Sequence, residues 1–182
     1  MTSEILLNMW GTLKAEAEPA NLQGALSTLE CREIYEQNRH RLYSLAFWMT
    51  GNELRAEGLL ERAFARAFSA STIPAPEALD AAMIGELSRL HSLRRATLKC
   101  APVSEVLNIR KSAKKADLEE AVLRLPGCER IIFLLHDVEQ YSTEKIARLL
   151  GMDACLVSNA LHQARLRLRE LLASATSLPQ AA

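Results

Sequence analysis

The chain has 182 residues, of which 49% are hydrophobic and 24% are charged. Its 22 basic and 22 acidic residues leave a formal net charge of zero. This composition supplies a packed core and excludes a chain that is disordered throughout. Ala, Leu, Glu and Arg dominate, and long runs rich in Val, Ile, Tyr and Thr are missing, so we expect an all-α protein.

The N-terminal part of the chain begins with short helical signals. An apolar stripe at helical spacing in residues 1–26 predicts an N-terminal extension with a short helix. Ser27–Glu30 has the capping-box pattern, in which two side chains satisfy free backbone N–H groups at a helix start. We therefore expect a first helical domain over residues 27–99. Its first helix should end at Gly51, which accepts the left-handed conformation.

Two more helices of this domain follow from apolar stripes. Asn52 can cap the second helix, in which apolar residues repeat on one face. They are Ala56, Leu59, Leu60, Ala63, Phe64, Ala67 and Phe68. The opposite, polar face carries Glu57, Glu61, Arg62 and Arg66. A third helix is expected over 77–98, with four buried side chains: Leu79, Met83, Leu87 and Leu90.

The charge is distributed unevenly along the chain. Residues 1–93 hold 8 basic and 12 acidic residues, residues 94–116 hold 7 and 1, and residues 117–182 hold 7 and 9. Most of the basic run lies in residues 100–116, so we expect a flexible basic linker between two small helical bundles. Two interpretations of this charge remain open. It faces an anionic partner near the connection between the two bundles, or it only keeps the linker solvated.

The second domain, residues 117–173, is expected to contain four helices. The first carries Leu118, Ala121, Val122 and Leu125, and the second carries Ile131, Ile132, Leu134 and Leu135. Ser142 can cap a third helix, and Asp153 can cap a long fourth helix after a tight turn at Gly151. The inward positions of the fourth helix are Leu156, Val157, Ala160, Leu161, Ala164 and Leu168. We expect the tail, residues 174–182, to be disordered.

The last two helices of this domain have the pattern of a helix-turn-helix. A short helix, a turn that begins with Gly151 and a longer helix that ends in arginines are typical of this motif. The exposed face of the longer helix would then enter a DNA major groove. That face carries Cys155, Ser158, Asn159, His162, Gln163 and Arg165, followed by Arg167 and Arg169. The arginines either contact phosphates or only form a solvated helix end that the helix dipole favours.

Both domains resemble one known protein family. The segments that carry the resemblance in the second domain are 118–126, 129–135, 141–151, Val157 and 161–169, and those in the first domain are 34–46, 51–52 and 56–68. They are similar to the promoter-recognition domain and the polymerase-binding helices of bacterial RNA polymerase sigma factors. The small two-domain extracytoplasmic-function (ECF) class of the sigma-70 family is the most similar. The resemblance covers about Leu29 to Leu172 and includes the order of the domains.

The resemblance implies a role for each part of the chain. The polar face formed by Glu57, Glu61, Arg62 and Arg66 would dock on core RNA polymerase. The first domain would engage the minus-ten promoter element, and the second would read the minus-thirty-five element through the exposed face named above. Core RNA polymerase and promoter DNA are therefore the expected partners, and an anti-sigma protein is a candidate third one.

The chain also departs from the pattern of the family. Gly58 and Glu61 stand where the family usually has Asp and Gln. Three positions that are usually cationic in the recognition helix are Ser158, Ala160 and Gln163. Lys145 replaces the usual acid in the helix before it. These losses leave two further hypotheses: a sigma-like regulator with weakened DNA reading that acts by protein–protein contact, and a helix-turn-helix repressor that acts alone.

No pattern in the chain indicates an enzyme, a cofactor or a metal site. The four cysteines lie far apart, and no two of the four histidines share metal-ligand spacing. His136 and Asp137 are adjacent, and adjacent helical residues do not face each other, so we expect no acid–base pair there. Because no signal sequence and no membrane-length apolar run occur, we expect a cytoplasmic protein with no membrane insertion.

Overall fold

The computed structural model describes residues 22–91, 93 and 115–175, with side chains over 29–91, 93 and 117–173. All regular structure in these ranges is helical, which confirms the all-α prediction. The elements are α1 (Leu22–Thr50), α2 (Glu53–Ala70), α3 (Pro76–Leu90), α4 (Lys115–Arg124), α5 (Gly127–Phe133), a π-helical turn (Leu134–Val138), α6 (Thr143–Leu150) and α7 (Ala154–Ala175). The extension before residue 22, the linker up to residue 114 and the tail after residue 175 lie outside the described residues.

Helices α1 to α3 pack against one another and form the N-terminal module. The α1–α2 turn is fixed by Gly51, whose φ of +63° is left-handed, and by Asn52, whose side chain accepts a hydrogen bond from the Arg55 N–H at 3.0 Å. The predicted stripe of α2 lies inward, and its largest residue, Phe64, is fully buried and contacts the Tyr35 ring. The largest side chains buried with it are Leu42, Met49, Leu59, Leu79, Met83 and Leu87.

Three expectations for this module are wrong. Helix α1 begins at Leu22, so the Ser27–Glu30 pattern lies inside the helix and does not start it. Helix α3 ends at Leu90, because His91 has an extended backbone (φ −125°, ψ 138°); of the rest of the predicted range, residues 92 and 94–98 lie outside the described residues. Leu90 was expected inside but is 53% exposed, since the last turn of α3 extends beyond the packed core.

Helices α4 to α7 form the C-terminal module, in which α7 packs on α4, α5 and α6. Its buried side chains include those that the sequence predicts on the inner stripes: Ala121, Val122, Leu125, Ile131, Ile132, Ile146, Val157, Leu161, Ala164 and Leu168. Leu118 is an exception and is 42% exposed in the first half of α4. The four-helix prediction for this region is otherwise confirmed, with the π-helical turn extending the second helix.

The two modules are in direct contact. Helix α1 packs against α4 and α5, and α3 packs against α6. The Arg130 guanidinium of α5 donates to the Met49 carbonyl at the end of α1 at 2.8 Å, and also to the Leu123 and Leu125 carbonyls. One side chain therefore caps the C-terminal end of α1 and holds the α4–α5 turn. The described residues form one packed unit.

Candidate nucleic-acid interface

The turn between α6 and α7 has the geometry that the sequence predicts. The Ser142 hydroxyl accepts a hydrogen bond from the Lys145 N–H at 3.2 Å and caps α6. Gly151 ends α6 in the left-handed conformation (φ 63°, ψ 43°), and the Met152 N–H reaches back to the Ala147 carbonyl at 3.0 Å. This pair of features is the Schellman motif, which reverses the chain directly after a helix. Helix α7 then begins at Ala154, next to the predicted cap Asp153.

Helix α7 is held against α6 by its apolar side and presents a polar side to solvent. Ala147 of α6 and Val157 of α7 are buried at the crossing, as are Ala160 and Ala164. The residues predicted for DNA reading that are exposed are Cys155, Ser158, Asn159, His162, Arg165 and Arg169. Gln163 and Arg167 are partly buried. The structure therefore brings the predicted face together along one side of one helix, next to a turn typical of DNA-binding helix pairs.

Two of the three arginines on α7 are engaged in ion pairs within the module. Arg165 donates to both carboxylate oxygens of Asp137, at 2.5 and 3.0 Å. These hydrogen bonds hold the pKa of Asp137 below its usual value. Arg167 lies 3.2 Å from Glu129, a carboxylate that is only 3% exposed and whose pKa is raised by burial. Among the described residues Arg169 has no ion-pair partner, so it is the arginine most available for a phosphate.

The π-helical turn brings His136 and Asp137 together. Their side chains approach to 2.8 Å, so the expectation that these neighbours do not face each other is wrong. A π-turn is wider than an α-turn, and it rotates successive side chains by a smaller angle. The turn ends at Val138, and Gln140, two residues further on, has a left-handed φ of 58°. The sequence gives no signal for it, because the apolar spacing continues without a break.

The polar face of α2, predicted to bind polymerase, is a second exposed surface. Glu57 and Glu61 are exposed. Arg62 and Arg66 are about half exposed, and both reach the buried Glu86 of α3, at 3.2 and 3.4 Å. Arg89 pairs with the same carboxylate at 2.9 Å. Sequence reasoning missed Glu86, because a glutamate between apolar residues gives no sign that three arginines converge on it.

One glycine leaves room for a member of this arginine cluster. A Cβ at Gly58 would lie 3.3 Å from the Arg62 guanidinium, a tight contact, whereas a Cβ at Gly85 would lie 3.5 Å from the Arg66 guanidinium, an ordinary van der Waals contact. Both glycines lie inside helices, where glycine costs about 1 kcal/mol relative to alanine. Gly58 departs from the family pattern. Because it has no side chain, the guanidinium of Arg62, one turn further along α2, can lie beside the helix backbone at Gly58.

The described residues contain no group of three or more His, Cys, Asp and Glu side chains that could hold a metal ion. Within the same ranges, no helix has the length and apolar character needed to cross a lipid bilayer.

The α6–turn–α7 geometry and the polar face of α7 define a DNA-binding protein of the helix-turn-helix class. The family model for sigma-70, region 4, matches residues 115–168, which span α4 to most of α7. The chain is 27% identical over 164 residues to the ECF RNA polymerase sigma factor SigE of Mycolicibacterium smegmatis, covering 80% of this chain and 62% of that relative. It is 29% identical over 153 residues to the RNA polymerase sigma-E factor of Streptomyces antibioticus, covering 79% of this chain and 85% of that one. The chain is therefore similar to ECF sigma factors along most of its length, and residues 115–168 match region 4 of the sigma-70 family.

Proposed function

We propose that this chain is a sigma factor that binds core RNA polymerase and directs it to initiate transcription at particular promoters. The observation that carries the proposal is the helix-turn-helix. Gly151 turns the chain, buried Ala147 and Val157 fix the crossing, and the opposite side of α7 is exposed and polar. This geometry occurs in a chain whose relatives along most of its length are named as sigma factors. The role assigns no catalytic residue to the chain.

In this proposal α7 reads the upstream, minus-thirty-five element. Asn159 is exposed, and its amide can make two hydrogen bonds to adenine at its major-groove edge. Gln163, one turn further on and partly buried, can do the same. Ser158 and His162 lie beside them, and Cys155 is at the N-terminal end that enters the groove first. Arg169 supplies a phosphate contact, whereas Arg165 and Arg167 must leave Asp137 and Glu129 to do so.

The polar face of α2 is proposed to dock on core polymerase. Glu57 and Glu61 are exposed on the side of α2 opposite its buried stripe. Arg62 and Arg66 stand beside them, held by Glu86. The two arginines that Glu86 holds in place suit a protein partner, because little side-chain entropy is lost at them when the partner binds.

The remaining parts of the chain take the roles that the family suggests. Residues 27–99 form the module for the minus-ten element, residues 117–173 form the module for the upstream element, and residues 100–116 link them. We propose that the chain works with polymerase in the cytoplasm and that an anti-sigma protein is a further partner. The alternative, a regulator that acts only by protein–protein contact, is not favoured by the exposed helix-turn-helix face.

The polymerase contact can be tested by charge reversal on α2. Glu57→Lys combined with Glu61→Lys should weaken co-purification with core polymerase at least tenfold while leaving the fold intact, because exposed substitutions shift stability by under about 0.5 kcal/mol. Glu30→Lys with Glu33→Lys makes the same change of charge on exposed α1 positions and should leave binding unchanged. Equal recovery of core by both double variants would show that this face of α2 does not bind it.

A further inference from the structure

An aspartate that precedes the helix-turn-helix holds one arginine of the exposed α7 side. Asp137 lies in the π-helical turn before α6, and Arg165 lies on α7. The Arg165 Nε donates to Oδ2 of Asp137 at 3.0 Å, and its Nη2 donates to Oδ1 at 2.5 Å. Two parallel hydrogen bonds of this kind fix both the position and the plane of a guanidinium group. The direction of the Arg165 side chain is therefore set by a residue outside α7.

The Asp137 carboxylate is itself held in place. Its hydrogen bonds to Arg165 lower its pKa, so it is ionised at neutral pH. The His136 Nδ1 lies 2.8 Å from Oδ1, and in the tautomer with a hydrogen on Nδ1 the imidazole donates to the carboxylate. With two partners and a side chain that is only 24% exposed, Asp137 is a defined support for Arg165.

Asp137 uses only one edge of the Arg165 guanidinium. Arginine has five N–H donors in a fixed fork, and Asp137 takes the edge formed by Nε and Nη2. Nη2 also lies 3.5 Å from the His136 Nδ1, which accepts nothing in the tautomer that donates to Asp137. Within the part of the chain that the structure describes, Nη1 makes no hydrogen bond. The outer edge, formed by Nη1 and Nη2, is therefore free for a second bidentate partner.

The charges of the pair favour a neutral ligand with two acceptors. A phosphate on the outer edge would also lie close to the Asp137 carboxylate, and like charges repel. Guanine instead presents the uncharged acceptors N7 and O6 side by side in the major groove, where an arginine fork binds both. Since Arg165 and Asp137 together carry no net charge, they suit the edge of a guanine better than a phosphate.

Arg165 lies where its side chain has to be aimed. It follows Ser158 and His162 at spacings of seven and three residues, so the three lie on one side of α7, and all are exposed. Arg165 is about three turns from the start of α7, beyond the N-terminal residues that usually contact base edges. A side chain at this position reaches a base only when it is long and held in one direction, and Asp137 holds it.

We propose that Asp137 is a positioning residue for upstream recognition, which orients Arg165 so that the outer edge of its guanidinium reads one guanine of the upstream element. This role rests on the proposed function and deepens it. Asp137 acts only through Arg165. Removing either residue should therefore abolish the same base preference, and removing both should cost no more than removing one.

The test measures base preference with a library of DNA duplexes that have a random central segment. The full chain, bound to purified core polymerase, selects duplexes, and the selected ones are sequenced. Arg165→Gln identifies the position at which guanine is preferred because of Arg165. Asp137→Asn and Asp137→Ala remove the carboxylate, and Asp137→Glu retains it.

Glu120→Gln is the matched control for the loss of a carboxylate. It breaks an exposed ion pair of α4, in which Glu120 lies 2.6 Å from Arg124, and leaves α7 unchanged. Circular dichroism of each variant reports whether the helices are intact.

At the position defined by Arg165→Gln, Asp137→Asn and Asp137→Ala should each lower the preference for guanine about tenfold, as expected for one bidentate contact. Asp137→Glu and Glu120→Gln should keep most of the preference, and Asp137→Asn combined with Arg165→Gln should lose no more than either alone. Without the carboxylate, Arg165 becomes a free cation. The slope of log K against log salt on a duplex of unselected sequence should therefore steepen by up to about 0.9 in Asp137→Asn.

An ion pair with a merely structural role would change the affinity for all duplexes alike and leave the base preference unchanged. A guanine preference that persists in folded Asp137→Asn and Asp137→Ala would therefore overturn the positioning role. So would a wild-type selection in which no preferred guanine depends on Arg165. If the wild-type complex with core polymerase enriches no sequence at all, the proposed sigma function fails and the role of Asp137 fails with it.

Discussion

Adding positive charge to the exposed side of α7 tests whether that side meets the DNA backbone. Ser158 is exposed and Gln163 is partly exposed, so Ser158→Lys and Gln163→Arg place two cations there without changing the core. Ala160, the third position at which the resemblance led us to expect a cation, is 3% exposed and cannot take one. Each phosphate that is neutralised contributes about −0.9 to the slope of log K against log salt.

The double variant should therefore steepen the slope by up to about 1.8. When the salt falls from 200 to 50 mM, its affinity for DNA should then rise roughly tenfold more than the affinity of the wild type does. The wild type should have a shallow slope, because Arg165 and Arg167 are held by Asp137 and Glu129. The assay is fluorescence anisotropy of the full chain on a labelled duplex over a salt series.

The control for this experiment adds the same two charges elsewhere. Gln37→Arg and Thr72→Lys are exposed positions of the N-terminal module. They should change the slope less than the α7 variant does, because general charge acts over a distance and is screened by salt. Equal slopes for the wild type and the α7 variant, with helical content unchanged by circular dichroism, would refute the placement of this face on DNA.

Three further predictions concern stability and chain flexibility. Ala160→Arg should lower the free energy of unfolding in urea by about 2 kcal/mol or more, because it forces a charged side chain into a packed crossing; a loss similar to that of Ser158→Lys would contradict the burial. The lowered pKa of Asp137 contributes stability that is present above its unfolded pKa of about 3.9 and is lost as pH falls through the folded value. The stability difference between the wild type and Arg165→Gln should therefore shrink between pH 6 and pH 3, and a constant difference would exclude the pair as its source. Limited trypsin digestion should cut first within 110–115, and early cutting inside α2 would contradict the two-module organisation.

Local features of the fold follow from the sequence because they depend on near neighbours. A glycine after an apolar stripe predicts the left-handed turn at Gly151, and Ser142 predicts the α6 cap. The inner stripes of α2 and α7 follow from helical spacing alone. The same spacing correctly separates the exposed polar positions of α7 from its buried ones. These signals were sufficient to predict the helix-turn-helix and the side of α7 that faces solvent.

Long-range pairings do not follow from the sequence, because nothing in a local pattern identifies a partner 20 to 60 residues away. Asp80, Glu86 and Glu129 are buried acids, although charged residues usually indicate a solvated face. Each is buried because arginine or lysine side chains from other helices meet it. The contact between the modules was missed for the same reason, since a basic linker suggested two separate bundles. The π-helical turn was missed because it leaves the apolar spacing intact.

A sigma factor gives core polymerase a choice of start sites, and we propose that this chain does so. The most direct measurement maps the 5′ ends of transcripts made in vitro from genomic DNA fragments by purified core alone and by core with the full chain. We expect new, discrete start sites only when the chain is present, preceded by two shared elements about 25 base pairs apart. We also expect Asn159→Ala to change the shared sequence of the upstream element and to leave the downstream one unchanged. If the chain binds core and no new start site appears, it is a regulator that acts through protein contact, and the proposed sigma function is wrong.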